Sequence, residues 1–380
     1  MSETATASNE PRRVLIATVA MTTASGTITY TRDLALALLR QGWLPIVFTT
    51  RTGAQGEILR AAGIPVVTSL EQVGEAPDLI HGHHALETLA ALTRFPNVPA
   101  LFVCHDALTW HSIPPRIPRI GAYVAIDHHC RDRMIFEQGF ARDDVRVIVN
   151  TVDLARFRPR PPLPAKPRRA LVFSNAAHES SFVAPIRDAC AQRNIDVDVV
   201  GNASGGAVDD PENMLASYDL VFGKARCAIE ACAVGAAVIA CDFSGLAGMI
   251  TPQDVEAMRL LNFGRRTLQL PITAEHVLRE IDRYDPAGAA EVSRRVREAN
   301  DADIVAAQFI DIYQELLARP VQSENELPAI SASIETLAHH LYAQMEAGAG
   351  RYRIISTVLN SKMLAPVLRF AWRGKRRTHF

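Results

Sequence analysis

The sequence lacks the features that define several classes of protein. Its 380 residues include six cysteines, all inside apolar runs and none in a CxxC pair, which suggests core residues of a reducing compartment rather than disulfides or zinc sites. No apolar run reaches the roughly twenty residues that span a bilayer, and the polar start MSETATASNEPRR lacks the apolar core of a signal peptide. A net charge of −1 argues against nucleic-acid binding over the whole surface. These absences favour a cytoplasmic globular protein.

Strand and helix signals alternate along most of the chain. RVLIATVAM is a short apolar run typical of a buried strand, and YTRDLALALLRQGW then has the leucine and alanine spacing of a helix. The pattern repeats to VRVIVNTVD, which predicts parallel strands with helices on both faces. After a disordered tail over residues 1–11, the sequence therefore predicts a Rossmann-like domain over residues 12–155.

A second alternating region follows a proline-rich and basic stretch. RFRPRPPLPAKPRR, residues 156–169, has no periodicity and is interpreted as an interdomain linker. Strand and helix signals resume over residues 170–317, and residues 318–380 form a helical, basic extension. The predicted fold class is α/β, with two doubly wound Rossmann-like domains facing a cleft in which ligands bind.

One carboxylate stands out in the second region. FGKARCAIEACAVGAAVIACD places Glu230 among alanines, cysteines and valines. A buried carboxylate needs a partner, because its desolvation costs several kcal/mol or forces protonation. Either Glu230 is half exposed or a polar group contacts it.

Other residues near the predicted strand ends suit a phosphate ligand. Gly223, Lys224 and Arg226 form a strand, glycine and basic helix junction, which offers backbone amides and two cations to a diphosphate; an ordinary loop with exposed bases is the alternative. Gly26, in TTASGT, would allow close approach of a ligand or serve only the turn. Ser244 and Gly245 could add backbone amides at the same cleft.

These pieces together resemble the retaining GT-B glycosyltransferases of family four. The resemblance covers about the first three hundred residues and rests on four stretches: ASGTITYTRDLALALLRQGW, VIVNTVDLARFRP, YDLVFGKARCAIEACAVGAAVIACD and FVCHD. It implies a nucleotide-sugar donor, a glycan or glycolipid acceptor, and synthesis of a surface polysaccharide or glycoconjugate. It also implies that Glu230 accepts hydrogen bonds from ribose hydroxyls, without a counter-charge, and that His105 steadies charge as the glycosidic bond breaks. The alternative for His105 is a histidine that only caps the loop after its strand.

The sequence departs from that family at the donor site. ALVFSNAAHESSFVAP has neither the arginine nor the lysine that neutralises the departing diphosphate, and Phe222 stands at the place of the first glutamate of the family's pair. Thr151 replaces the expected glycine. Lys224 and Arg226 are therefore the predicted substitutes, with catalysis assigned to them and His105. Neither a metal nor a cofactor other than the donor is expected, because no DxD pair ends a strand.

Several alternatives stay open at this point. A sugar-nucleotide epimerase could use the same residues, and a degenerate, non-catalytic protein could bind a nucleotide sugar or serve as a scaffold. The histidines of LIHGHHALE resemble a metal cluster but fit packing or cleft lining better. The end of the chain, RFAWRGKRRTHF, combines bases with aromatics, so it is either a peripheral membrane contact or a solvated tail.

Overall fold

The structure is a computed structural model of the whole chain. It describes residues 11–178, 181–201, 208, 210–322 and 326–360, with side chains up to residue 347. The predicted tail, apart from Pro11, and the basic stretch RFAWRGKRRTHF lie outside these residues. The chain divides into two compact units, residues 1–324 and 325–380, and each is described by itself.

The first unit contains two separate sheets. The first sheet has the order β3-β2-β1-β4-β5-β6-β7, and all of its pairings are parallel. Its strands are β1 (Arg13–Thr18), β2 (Leu44–Thr49), β3 (Val66–Val67), β4 (Leu79–Gly82), β5 (Ala100–Cys104), β6 (Ile120–Ala125) and β7 (Val145–Val147).

The second sheet has the order β12-β11-β10-β8-β9. Its strands are β8 (Arg169–Phe173), β9 (Asp196–Val200), β10 (Leu220–Gly223), β11 (Ala237–Asp242) and β12 (Gly245–Met249). The predicted α/β class, with two doubly wound sheets, is confirmed. In both sheets the strand order reverses beside the first strand, between β1 and β4 and between β8 and β10, and ligands of such folds bind beside these reversals.

Helices connect the strands and cover the sheets. In chain order they are α1 (Gly26–Arg40), α2 (Ala54–Ala61), α3 (Ala85–Arg94), α4 (His128–Phe136), α5 (Val183–Ala191), α6 (Pro211–Leu215), α7 (Ala225–Val234), α8 (Val255–Leu260), α9 (Ala274–Ile281), α10 (Pro286–Ala299), α11 (Ala302–Leu317) and α12 (Glu326–Asn360). Helix α7 is followed by Gly235, whose φ of +91° is the left-handed cap that glycine favours.

The apolar runs of the sequence become strands covered on both faces. All five residues of β5 and all six of β11 are buried, as a sheet between two helical layers requires. The core of the second sheet includes Phe222, which has no exposed surface. The place of the family's first glutamate is therefore a core position in this chain.

Strand β12 and helix α11 depart from a simple pattern of two successive domains with purely parallel sheets. Strand β12 runs antiparallel to β11, because the chain reverses at Ser244, whose backbone N–H and hydroxyl donate to Asp242 Oδ1 at 2.7 and 2.5 Å. Helix α11 packs against α1 and β6 of the first sheet, although it follows the second in sequence. The predicted domain limits at residues 155, 169 and 317 stay predictions.

The proline-rich stretch after β7 is packed against the protein. Phe157 is fully buried, and Arg160 forms an ion pair with Asp219 at 2.9 Å. The second compact unit contains the long helix α12. No helix in the described part of the chain has the length and apolar character needed to cross a membrane.

Candidate functional site

A cavity of about 370 Å³ lies at the strand-order reversals of both sheets. From the side of the first sheet, the loop after β1 and the start of α1 line it. From the side of the second sheet, the ends of β8, β9 and β11, the residue Lys224 after β10 and the start of α7 line it. Its charged lining residues are four cations, Arg32, Arg156, Lys224 and Arg226, and two carboxylates, Glu230 and Asp242. The lining therefore carries a net charge of +2, which favours an anionic ligand.

The structure brings four of the predicted site residues to this cavity: Gly26, Lys224, Arg226 and Glu230. Gly223 ends β10 directly before them and allows close packing, because a Cβ there would lie 3.0 Å from the carbonyl oxygen of Phe173. The other three predicted residues, Ser244, Gly245 and His105, are not among the residues that line the cavity. Gly245 has a φ of +149°, and a Cβ there would lie 2.6 Å from the carbonyl oxygen of Leu268.

Glu230 is buried and has a charged partner. Its side chain lies on α7, one helical turn after Arg226, and Oε1 accepts a hydrogen bond from Arg226 Nε at 2.7 Å. The expectation of a carboxylate without a counter-charge is therefore wrong. Burial raises the pKa of Glu230, and the adjacent Arg226 guanidinium opposes that shift.

Arg226 also reaches across to the side of the first sheet. Its Nη2 donates to Oδ2 of Asp33, which lies on α1 and has no exposed surface. Burial alone would lower the pKa of Arg226, but Asp33 and Glu230 offset this effect and raise it. Arg32 donates to Asp33 Oδ1 at 2.7 and 2.9 Å, so Asp33 joins two arginines at the wall of the cavity.

Lys224 is the residue before α7, and its ammonium pairs with Oδ2 of Asp242 at the end of β11. The same ammonium lies 5.4 Å from the centre of the Phe243 ring. Phe243 lines the cavity and is 60% exposed, so an apolar surface stands beside the charged one. Both predicted diphosphate cations are therefore held by carboxylates of this chain.

The histidines of the first sheet form a buried array. His83 Nδ1 and His105 Nε2 lie 2.5 Å apart, and His81 Nδ1 lies 2.5 Å from the hydroxyl of Tyr313. Tyr30 meets the rings of His83 and His105 edge on. Burial, reinforced by neighbouring imidazoles, lowers the pKa of His81 to about 3 and that of His105 to about 3.

Metal binding finds no support in this array. Within the described ranges, no group of three or more histidine, cysteine or carboxylate side chains has an arrangement that could hold a metal ion. His84 Nδ1 instead accepts a hydrogen bond from the backbone N–H of Val19 at 3.1 Å. His128 begins α4, which is capped by the Asp127 side chain. The array lies at the ends of β4 and β5, and Tyr30 of α1 packs against it.

Several solved structures share this architecture. A glycosyltransferase from Rickettsia africae is 14% identical, with 82% of this chain and 100% of that chain covered and a TM-score of 0.57. HepE from Anabaena, in complex with UDP and glucose, is 15% identical, with 80% and 100% covered and a TM-score of 0.56. A Listeria monocytogenes protein assigned as a UDP-N-acetylglucosamine 2-epimerase is 14% identical, with 82% and 98% covered and a TM-score of 0.50.

The chain has the GT-B fold. Within it, residues 24–156 match the model of Glycosyltransferase Family 4, so the segment with the family match supplies α1 and its loop to the cavity. No curated protein matches the sequence of this GT-B protein significantly. The GT-B assignment therefore rests on the likeness to solved structures and on one matched segment of the sequence.

Sequence reasoning missed four charged residues at or beside the cavity: Arg32, Asp33, Arg156 and Asp242. A signal was present for the first two, because YTRDLALALL places two adjacent charges in a helix that is otherwise apolar. The reasoning applied to Glu230, that a buried charge needs a partner, applies equally to Asp33. Arg156 was interpreted only as part of a linker.

Proposed function

We propose that this GT-B protein is a glycosyltransferase of the hexosyltransferase class. It transfers a sugar from a nucleotide-sugar donor to a glycan or glycolipid acceptor, in the synthesis of a surface polysaccharide or glycoconjugate. The observation that carries the proposal is the cavity at both strand-order reversals, with a net positive lining and Glu230 in its wall. The Family 4 match over residues 24–156 and the UDP bound to HepE support the same function.

Glu230 is the proposed ribose ligand. Arg226 occupies only its Oε1, and a carboxylate has further lone pairs that can accept hydrogen bonds from hydroxyls. Arg226 also favours the ionised form of Glu230, which accepts stronger hydrogen bonds than a neutral acid. The pair therefore suits a diol next to a phosphate, which is the arrangement within a nucleoside diphosphate.

Lys224 and Arg226 are the proposed diphosphate ligands, and Gly26 allows the ligand to approach the start of α1. In a retaining reaction of this type no protein nucleophile is needed, since the leaving phosphate takes the proton of the acceptor hydroxyl. Cations at the diphosphate stabilise the charge that develops on the leaving group. We propose metal-independent transfer, because these cations supply that stabilisation. A charge-stabilising role for His105 stays a prediction.

The test is a calorimetric and thermal-shift screen with UDP, GDP, ADP and dTDP and their nucleotide sugars. One nucleotide is expected to stabilise the wild type and to lose most of its affinity in Glu230→Ala and Glu230→Gln; the second variant preserves side-chain volume. Glu256→Ala is the matched control, because Glu256 is also a helical glutamate paired with an arginine but lies outside the cavity. The absence of binding by the wild type at millimolar concentration would contradict the proposal.

Two other functions predict different products. An epimerase, the activity assigned to the Listeria protein with the same fold, would convert the nucleotide sugar without an acceptor and without releasing nucleotide. A non-catalytic protein would bind the nucleotide sugar and leave it intact. Release of free nucleotide in the presence of an acceptor extract distinguishes the proposed transferase from both.

The proposed location is the cytoplasm, with peripheral contact at the inner face of the membrane through residues 361–380. Six lysines and arginines and three aromatic residues in this stretch support the proposal, because such segments bind anionic lipid surfaces.

A further inference from the structure

Three arginines gather around one buried carboxylate beside the cavity. Asp33 accepts hydrogen bonds from Arg32 through Oδ1 and from Arg226 through Oδ2. Arg156 Nη1 lies 3.7 Å from the same Oδ1. One carboxylate cannot neutralise three guanidinium groups, so the cluster needs further anions.

Two glutamates supply the remaining negative charge, so three carboxylates balance the three arginines. Glu212 of α6 forms a bidentate pair with Arg156, with Nη2 to oxygen distances of 2.7 and 2.7 Å, and Glu230 pairs with Arg226. The cluster therefore joins α1, the stretch after β7, α6 and α7. Arg156 belongs to the stretch that was predicted to be only a linker, and it contacts Glu212 of α6, a helix on the side of the second sheet.

Two nitrogens of the cluster remain available. Among the described residues, neither Arg156 Nη1 nor Arg226 Nη1 has a hydrogen-bond partner, although both nitrogens are buried. Arg226 is 6% exposed and Arg156 is 23% exposed at the side chain, and both line the cavity. Buried donors without acceptors are costly in a folded protein, so a ligand with several anionic oxygens would satisfy both.

We propose that Arg156 is a further diphosphate-binding residue of the donor site. It acts with Arg226 and supplies a cation that ALVFSNAAHESSFVAP lacks. This assignment rests on the proposed function, since it concerns the same cavity. It differs from the sequence-based interpretation because one cation comes from the stretch after β7, so the diphosphate site is complete only when that stretch packs against the second sheet.

The experiment compares a nucleoside diphosphate with its monophosphate. For whichever of UDP, GDP, ADP and dTDP binds the full-length wild type, calorimetry gives the Kd of the diphosphate and of the matching monophosphate. Arg156→Gln is expected to weaken the diphosphate roughly tenfold, which is typical of a lost charge-assisted contact, and to change the Kd of the monophosphate by less than about twofold. Arg156→Lys, which retains the charge, is expected to fall in between.

Glu212→Gln is the matched control, because it breaks the same ion pair from the other side and retains the guanidinium. It is expected to bind the diphosphate at least as tightly as the wild type. If both variants weaken diphosphate and monophosphate equally, the pair is only structural and the assignment is wrong. If Arg156→Gln folds but retains the diphosphate preference, the assignment is also wrong. If the wild type binds no nucleotide, the proposed function itself fails.

Discussion

Gly26 shows how a single residue can distinguish a structural from a functional requirement. It is the first residue of α1 and lines the cavity. A Cβ at this position would meet no atom within 4 Å, and its φ lies outside the left-handed region. Nothing in the turn therefore requires glycine, which leaves room for a ligand as the reason for its presence.

Gly26→Ala is accordingly expected to separate stability from binding. The free energy of unfolding should stay the same or rise by about 0.5–1 kcal/mol, because alanine loses less backbone entropy on folding. The nucleotide Kd should rise several-fold, because the methyl group occupies the approach to α1. Urea denaturation and calorimetry measure the two quantities. Gly74→Ala is the control, since its Cβ also meets nothing within 4 Å and it lies outside the cavity; equal nucleotide affinities of both variants and the wild type would contradict the prediction.

At the same scale, some residues could be predicted from sequence and others could not. Glu230 and Arg226 stand one helical turn apart, so local spacing places them together. Asp33 lies 193 positions from Arg226, and Arg156 meets Glu212 across 56. No local pattern encodes such pairings, because only the packing of the two sheets brings these residues together.

The strands and helices were easier to predict from the sequence than the chemical roles of the residues at their ends. Short apolar runs between helical patterns predicted the parallel strands, because burial on both faces demands continuous hydrophobicity. Strand β12 escaped this reasoning, since GLAGM is short and its antiparallel direction depends on the turn at Ser244. The histidines at the end of β4 were predicted to pack or to line the cleft, and in the structure His81 and His83 pack against each other, with His83 also against His105 and Tyr30.

The histidines at these strand ends predict a dependence of stability on pH. Burial lowers the pKa of His81 to about 3, whereas a histidine in the unfolded chain has a pKa of about 6.5. The contribution to stability is therefore complete above pH 6.5 and declines as the pH falls toward 3. Between pH 6 and 5, each such histidine should lower the free energy of unfolding by about 1 kcal/mol.

Urea denaturation across this pH range measures the slope of the free energy of unfolding against pH. His81→Gln should reduce this slope by the equivalent of nearly one bound proton, whatever its effect on stability at neutral pH. His339, whose side chain is 79% exposed, is the control, and His339→Gln should leave the slope as in the wild type. A slope that His81→Gln does not alter would show that this imidazole is not responsible.

At the scale of the whole molecule, the cavity depends on the way the two sheets face each other. Arg266 in the second half pairs with Asp132 of α4, and Arg226 pairs with Asp33 of α1. The sequence predicted two doubly wound regions and a ligand site between them, because strand ends and order reversals follow from the alternation. It could not predict that carboxylates of one half would hold cations of the other.

The last prediction concerns membrane binding by the basic end of the chain. Arg376 and Arg377 lie in the stretch proposed to contact anionic lipid, and each base near such a surface contributes about 1 kcal/mol. The double variant Arg376→Gln with Arg377→Gln should therefore bind vesicles of phosphatidylglycerol roughly 30-fold more weakly in a sedimentation assay. The control is the double variant Arg294→Gln with Arg295→Gln, an adjacent arginine pair of α10, which should bind as the wild type does. Equal binding of all three proteins, or binding that salt does not weaken, would contradict contact through these bases, because attraction between exposed charges is screened by ions.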